Sequence, residues 1–139
     1  MNLIIERLDP SLPMPTYARE GDSAMDLYAA KDMDLGGDQR GLMPLGIKMN
    51  IPNGYEVQIR PRSGLTKMCL DVKFGTVDSG YRGELMTNIH NCSGNTAKIK
   101  KGMRICQAVL APVTRANIVE GTVNTDTERG EGGFGSTGR

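Results

Sequence analysis

Residues 129–138, Arg-Gly-Glu-Gly-Gly-Phe-Gly-Ser-Thr-Gly, place five glycines, an arginine, a lone phenylalanine and two hydroxyls in one stretch. Glycine lets backbone N–H groups crowd around an anion, a guanidinium offers a fork to phosphate oxygens, and an aromatic ring offers a face to a base. The stretch therefore reads as a phosphate clamp with a stacking lid. On composition alone it also has the character of a disordered terminal tail.

Four earlier blocks carry groups suited to the same ligand. Arg60-Pro61-Arg62-Ser63-Gly64-Leu65 closes a strand and enters a short helix, with Ser63 placed to cap it. A helix start presents free N–H groups to anions, and Arg62 and a hydroxyl stand beside it; the plainer reading is a capped helix with a surface arginine. Gly75 through Glu84 suggests a hairpin turning at Ser79-Gly80, with Asp78 and Tyr81 able to face one pocket. The carboxylate could polarise a water while the ring packs on a sugar face, and an Asx turn with a rim tyrosine is the alternative. Asp26, preceded by small residues, could hold a water of a hydrated Mg²⁺ or be an ordinary loop carboxylate. Gln107 is the one polar residue in the apolar run Ile105–Leu110 and needs a partner from backbone or ligand.

Bulk composition narrows the field. The 139 residues suit one domain, and the formal net charge of +1 supplies no general field for nucleic acid or an anionic membrane. No apolar run approaches the ~20 residues of a membrane span, and Met1–Pro10 lacks a signal-peptide pattern. A soluble, cytoplasmic protein is expected. Cys69, Cys92 and Cys106 are odd in number and lack C-x-x-C spacing. That argues against a disulfide framework or a zinc site and suggests buried thiols. His90, the single histidine, lies in the apparent strand Glu84–His90 and reads as structural; a Cys–His nucleophilic pair has no local support.

The elements that must position these groups are short strands. Tyr55, Val57 and Ile59 alternate with polar residues, and Leu85, Thr87 and Ile89 repeat the period of two. Asn2–Arg7, Ile47–Ile51, Thr96–Lys100, Ile105–Pro112 and Asn117–Val123 are further candidates. Turn signals at Pro52-Asn53-Gly54, Ser93-Gly94-Asn95 and Lys101-Gly102 separate them. One short helix fits, from Ser63 to about Cys69. The pattern predicts an all-β, jelly-roll-like domain over 1–123 and a flexible glycine-rich arm or lid over 124–139. A lean core with few aromatics makes association between subunits plausible.

In order and spacing, the five blocks resemble the five motifs of the trimeric deoxyuridine triphosphate nucleotidohydrolases (dUTPases), most closely at Arg62-Ser63-Gly64, Asp78–Glu84 and Arg129–Gly138. The resemblance implies a jelly roll, a homotrimer with shared active sites, and Mg²⁺-dependent hydrolysis of dUTP to dUMP and pyrophosphate. Such an activity keeps uracil out of DNA and supplies dUMP for thymidylate synthesis. It further implies that Asp78 activates the attacking water, Tyr81 packs on deoxyribose, and Arg62, Ser63, Gly64 and Gln107 hold the triphosphate. Asp26 would bind Mg²⁺ through water. Gly75, Thr76, Val77 and Met86 would contact substrate. Arg129, Gly135 and Ser136 would grip the outer phosphates beneath Phe134, which covers the uracil. Leu70–Gly75 would supply the hairpin that cradles the base, although Lys73 and Phe74 stand where relatives have small residues, and Ala24 replaces a common glycine. The alternatives are a dUTP-sensing regulatory homologue and a dCTP deaminase of the same superfamily.

Overall fold

The computed structural model describes residues 1–138. Among them are eleven strands: β1 (Ile4–Arg7), β2 (Met25–Tyr28), β3 (Met33–Leu35), β4 (Arg40–Pro44), β5 (Ile47–Asn50), β6 (Tyr55–Arg60), β7 (Leu70–Val72), β8 (Gly75–Val77), β9 (Met86–Asn91), β10 (Ala97–Ile99) and β11 (Arg104–Pro112). One helix, α1 (Ser63–Thr66), interrupts them. Period-two alternation is what makes these segments strands: Val57 and Ile59 turn inward from β6, and Thr87 and Ile89 from β9.

All pairings are antiparallel and arranged in four sheets, β2-β11-β6-β8, β4-β9-β7, β1-β5 and β3-β10. Inward faces meet in one core that includes Leu27, Met43, Leu45, Ile59, Leu70, Ile89, Ile99 and Ile105. Each such side chain contributes roughly 1.5–3 kcal/mol when removed from water. The core is aliphatic and methionine-rich, as the scarcity of aromatics requires.

Expected turns form where their residue chemistry allows. Gly54 takes φ 82°, a left-handed backbone that ends the Pro52-Asn53-Gly54 turn, and Tyr55 N–H donates to Pro52 O. Asn91 organises the Ser93–Asn95 turn from inside. Fully buried, it donates through Nδ2 to Leu35 O, Gly36 O and Asn95 O, while its Oδ1 accepts from Ser93. Such a satisfied amide is a specific brace rather than a cost.

The structure corrects several expectations. Residues 117–123 form no strand; Ile118 and Val119 are exposed, and among the described residues no backbone hydrogen bond joins this segment to a strand. Glu84 and Leu85 precede β9, because Leu85 exchanges backbone hydrogen bonds with Leu45 and Ile47 instead. The segment around Ser79-Gly80 turns, with Tyr81 N–H donating to Asp78 O at 3.0 Å, but it is no hairpin. β8 pairs with β6 and β9 with β4 and β7, so the turn crosses between sheets. For the same reason β7 and β8 are not partners, and Leu70–Gly75 is not a paired hairpin. Ser63 is the first residue of α1; Arg62 occupies the cap position without a side-chain capping bond.

The cysteines divide. Cys69 and Cys92 are exposed, and only Cys106 is buried. Burial pushes the Cys106 thiol up to about 12, with the Arg62 charge opposing and Asp26 adding to the shift. A water-soluble maleimide at neutral pH is expected to modify Cys69 and Cys92 and to spare Cys106 until denaturant is added. Peptide mass spectrometry reads this directly, and a Cys106 adduct forming as fast as the other two would contradict its burial.

Candidate active site

β11 sits between β2 and β6, and its register assembles the first cleft. The ladder to β2 shifts between Arg104 and Cys106, so the strand carries a bulge. Two residues three apart on a regular strand face opposite sides. Here Ile105 and Cys106 are both buried, and the extra residue returns Arg104 and Gln107 to the same outer face. Gln107 lies opposite Asp26 on β2 and opposite Arg60 on β6.

Around this point charges interlock. Arg62 Nε donates to Asp26 Oδ1 at 2.7 Å, and Arg104 Nη1 lies 3.5 Å from Asp26 Oδ2. Arg62 Nη1 also donates to Arg104 O at 3.2 Å, and Gln107 Nε2 donates to Pro61 O at 2.9 Å. The partner that Gln107 needed is therefore backbone. Asp26, Arg60 and Gln107 line a cleft of ≈ 360 Å³ with Asp22, Ser23 and Thr16. Beside it, Ser63 and Gly64 open α1 in exposed positions, and their N–H groups have no acceptor among the described residues.

A second cleft, ≈ 270 Å³, is lined by Thr76, Val77, Asp78, Tyr81, Glu84 and Met86. The structure thus gathers five residues named from the sequence into one place, with Gly75 starting the strand that leads to it. Asp78 is exposed, and its carboxylate accepts no hydrogen bond among the described residues, which leaves it open to water. Tyr81 Oη donates to Glu84 O at 2.9 Å, folding the ring back over Gly83. A Cβ built on Gly83 would lie 2.4 Å from that Oη, so only glycine permits this ring position. Arg82 staples the turn by donating to Ser79 O and Tyr81 O.

Among the described residues, none of the glycine-rich arm lines either cleft. Hydrogen bonds of residues 124–138 stay within that stretch among the described residues, including Arg129 Nε to Gly132 O at 2.8 Å and Ser136 N–H to Gly133 O. Phe134 is wholly exposed, and Gly135 takes φ 83°. Arg139, the last residue of the arm, lies outside the described residues. Lys73 pairs with Asp71, and Phe74 is exposed in the link between β7 and β8.

Sequence reasoning missed Arg104, Arg60, Gly83 and Arg82 as contributors. Arg104 carried a usable signal, a charge three residues before Gln107 at the mouth of an apolar run, but only the bulge makes that spacing meaningful. The fold is that of a jelly-roll-like protein, and these two clefts present carboxylates, a guanidinium and a phenol.

Comparison with known proteins narrows that class. The profile of the dUTPase family matches residues 11–138. The deoxyuridine 5'-triphosphate nucleotidohydrolase of Clostridium kluyveri is 42% identical over 141 residues, covering 99% of both chains. That of Rhizobium etli is 45% identical over 146 residues, covering 99% of this chain and 93% of the relative. The Staphylococcus bacteriophage 80alpha dUTPase with dUPNHPP has a TM-score of 0.92 at 25% identity, covering 99% of each chain. The chain belongs to the dUTPase family.

The Asp26–Arg62 contact, one-quarter exposed on either side, lies between a surface pair and a buried one. A double-mutant cycle of Asp26→Ala and Arg62→Ala, by urea unfolding at fixed protein concentration, is expected to give about 1 kcal/mol of coupling. A coupling indistinguishable from zero would mean the two side chains do not hold each other.

Proposed function

We propose that this protein hydrolyses dUTP to dUMP and pyrophosphate by attack of water on the α-phosphorus. Family membership supports the activity, and the observation that carries the residue roles is the Asp78–Tyr81 cleft. A phosphoanhydride needs no covalent nucleophile; a positioned water and charge-matched donors suffice. In this reading the exposed Asp78 carboxylate orients the water and accepts its proton. A P–O bond forms at the α-phosphorus as the bond to the bridging oxygen breaks, and pyrophosphate leaves. Tyr81 packs on the deoxyribose, where its folded-back ring leaves no space for a 2′-hydroxyl. Gly75, Thr76, Val77 and Met86 border the base and sugar.

Arg62, the free N–H groups of Ser63 and Gly64, and Gln107 are assigned to the triphosphate. Donor chemistry at the Asp26 cleft suits a hydrated Mg²⁺: Asp22, Asp26, Ser23 and Thr16 all offer oxygen. Asp26 would hold the ion through water beside its two guanidinium partners, and the ion would offset charge on the triphosphate oxygens. The arm, residues 124–139, is assigned the role of a lid, with Arg129, Gly135 and Ser136 on the outer phosphates and Phe134 over the uracil. Among the described residues no helix is long and apolar enough to cross a membrane.

Geometry within one chain supports a shared site. Glu56 borders a third cleft, ≈ 820 Å³, that also takes in Asp78, whereas Arg60 borders the cleft with Asp26. Both lie on β6, about 13 Å apart at ~3.3 Å per residue. With residues 124–138 away from both clefts, the described part of one chain does not surround a nucleotide. A homotrimer in which each site draws Asp78, the Arg62 group and the arm from different subunits accounts for this and for exposed Ile118, Val119 and Val123.

Asp78→Asn is expected to cut kcat by about 10²–10⁴-fold while nucleotide affinity holds; near-normal turnover would remove Asp78 from the water. Sharing is tested by refolding equal amounts of Asp78→Asn and a chain lacking residues 129–139, each inactive alone. Sites drawing the two elements from different subunits recover about one quarter of wild-type activity in random trimers. Recovery of none would place both elements on one chain.

A further inference from the structure

A second group of reactive side chains lies on the β4-β9-β7 sheet, away from both clefts. β7 and β9 run antiparallel with Leu70 opposite Asn91 and Asp71 opposite His90. Leu70 and Asn91 face the core, so alternation turns Asp71, His90 and the following Cys92 to the opposite face. A carboxylate oxygen of Asp71, a ring nitrogen of His90 and Sγ of Cys92 all lie within 4.8 Å of one another. Cys92 Sγ is 3.5 Å from His90 Nδ1.

The outer face of the histidine is occupied as well. His90 Nε2 lies 2.8 Å from Asp38 Oδ1. Asp38 is itself held: it takes φ 58° before β4, and its N–H donates to Ser93 O at 3.1 Å. A carboxylate that accepts one ring N–H fixes the imidazole tautomer and leaves the other nitrogen's lone pair free. Here that free nitrogen is Nδ1, the one directed at Cys92.

We propose that Asp71, His90 Nδ1 and Cys92 Sγ form a binding site for a divalent cation of the zinc class, with Asp38 as the outer partner of the histidine. One oxygen, one nitrogen and one sulfur suit a borderline-soft, tetrahedral ion with water in the fourth position, and they disfavour Mg²⁺. Cys92 enters as thiolate, its proton passing to solvent. The Lys73 ammonium, paired with Asp71, swings aside on a flexible, half-exposed stem. The site is independent of the nucleotide reading.

Cobalt(II) is the probe. Titrating reduced, metal-free, full-length protein with Co²⁺ alone is expected to raise a thiolate-to-cobalt charge-transfer band that saturates at one ion per chain and is displaced by Zn²⁺. Cys92→Ser, eluting as wild type does, loses the band, and Cys69→Ser keeps it. Asp38→Asn keeps the band with affinity lowered about 10–100-fold, a readout that a merely structural residue would not move. A wild-type protein without the band at stoichiometric Co²⁺ overturns the site whatever the variants do. So does a band that survives in Cys92→Ser or disappears in Cys69→Ser.

Discussion

The register of β11 is the constraint on which the rest depends. This strand is hydrogen-bonded on both sides, to β2 and to β6, and the bulge after Arg104 changes which of its residues face outward. Without the extra residue, Arg104 and Gln107 would point to opposite faces, and one of them would be driven into the core. With it, two consecutive residues, Ile105 and Cys106, seal the interior while Arg104 reaches Asp26. Arg62 completes the arrangement from the end of β6, so the strand pairing brings three segments distant in sequence to one carboxylate.

Charge placement gives this cluster two uses. The Asp26 carboxylate offsets only part of the charge of the two guanidiniums beside it, so a chain of nearly zero net charge keeps a local positive excess. In the proposed function Arg62 is thereby already aimed for a triphosphate, and little reorganisation is required of it. The Asp78 turn follows a different logic. Arg82 and the Tyr81–Glu84 bond stiffen it, and Gly83 leaves room for the phenol, while the carboxylate itself stays free.

The all-β class, the turn at Gly54 and the inward faces of β6 and β9 were legible because each follows from local rules: period-two alternation and left-handed backbone at glycine. Residues 117–123 misled for the converse reason. Their β-prone composition is real, but a strand exists only with a partner edge, and among the described residues none pairs with this segment. The hairpin expected at Ser79-Gly80 failed similarly, since a turn signal says where the chain reverses and not which sheet receives it. The cysteine spacing argued against a zinc site because it was read along the chain. Asp71, His90 and Cys92 meet across a strand pair, a relation that linear spacing does not encode.

By itself the sequence determined the chemical inventory. It held one histidine, a glycine-rich arm with Arg129, Phe134 and Ser136, an Asp78–Tyr81 turn, an arginine-serine-glycine step at Arg62, and family-specific spacing among them. Only the tertiary structure decided how those groups divide: Asp26 and Gln107 in one cleft, with Arg62 and Arg104 held on Asp26, Asp78 and Tyr81 in another, and residues 124–138 in neither. The reason is physical. Local sequence sets which way a backbone turns and which face a side chain takes. Strand register and sheet membership come from packing the whole core at once, so the distances between distant functional groups follow from that global solution.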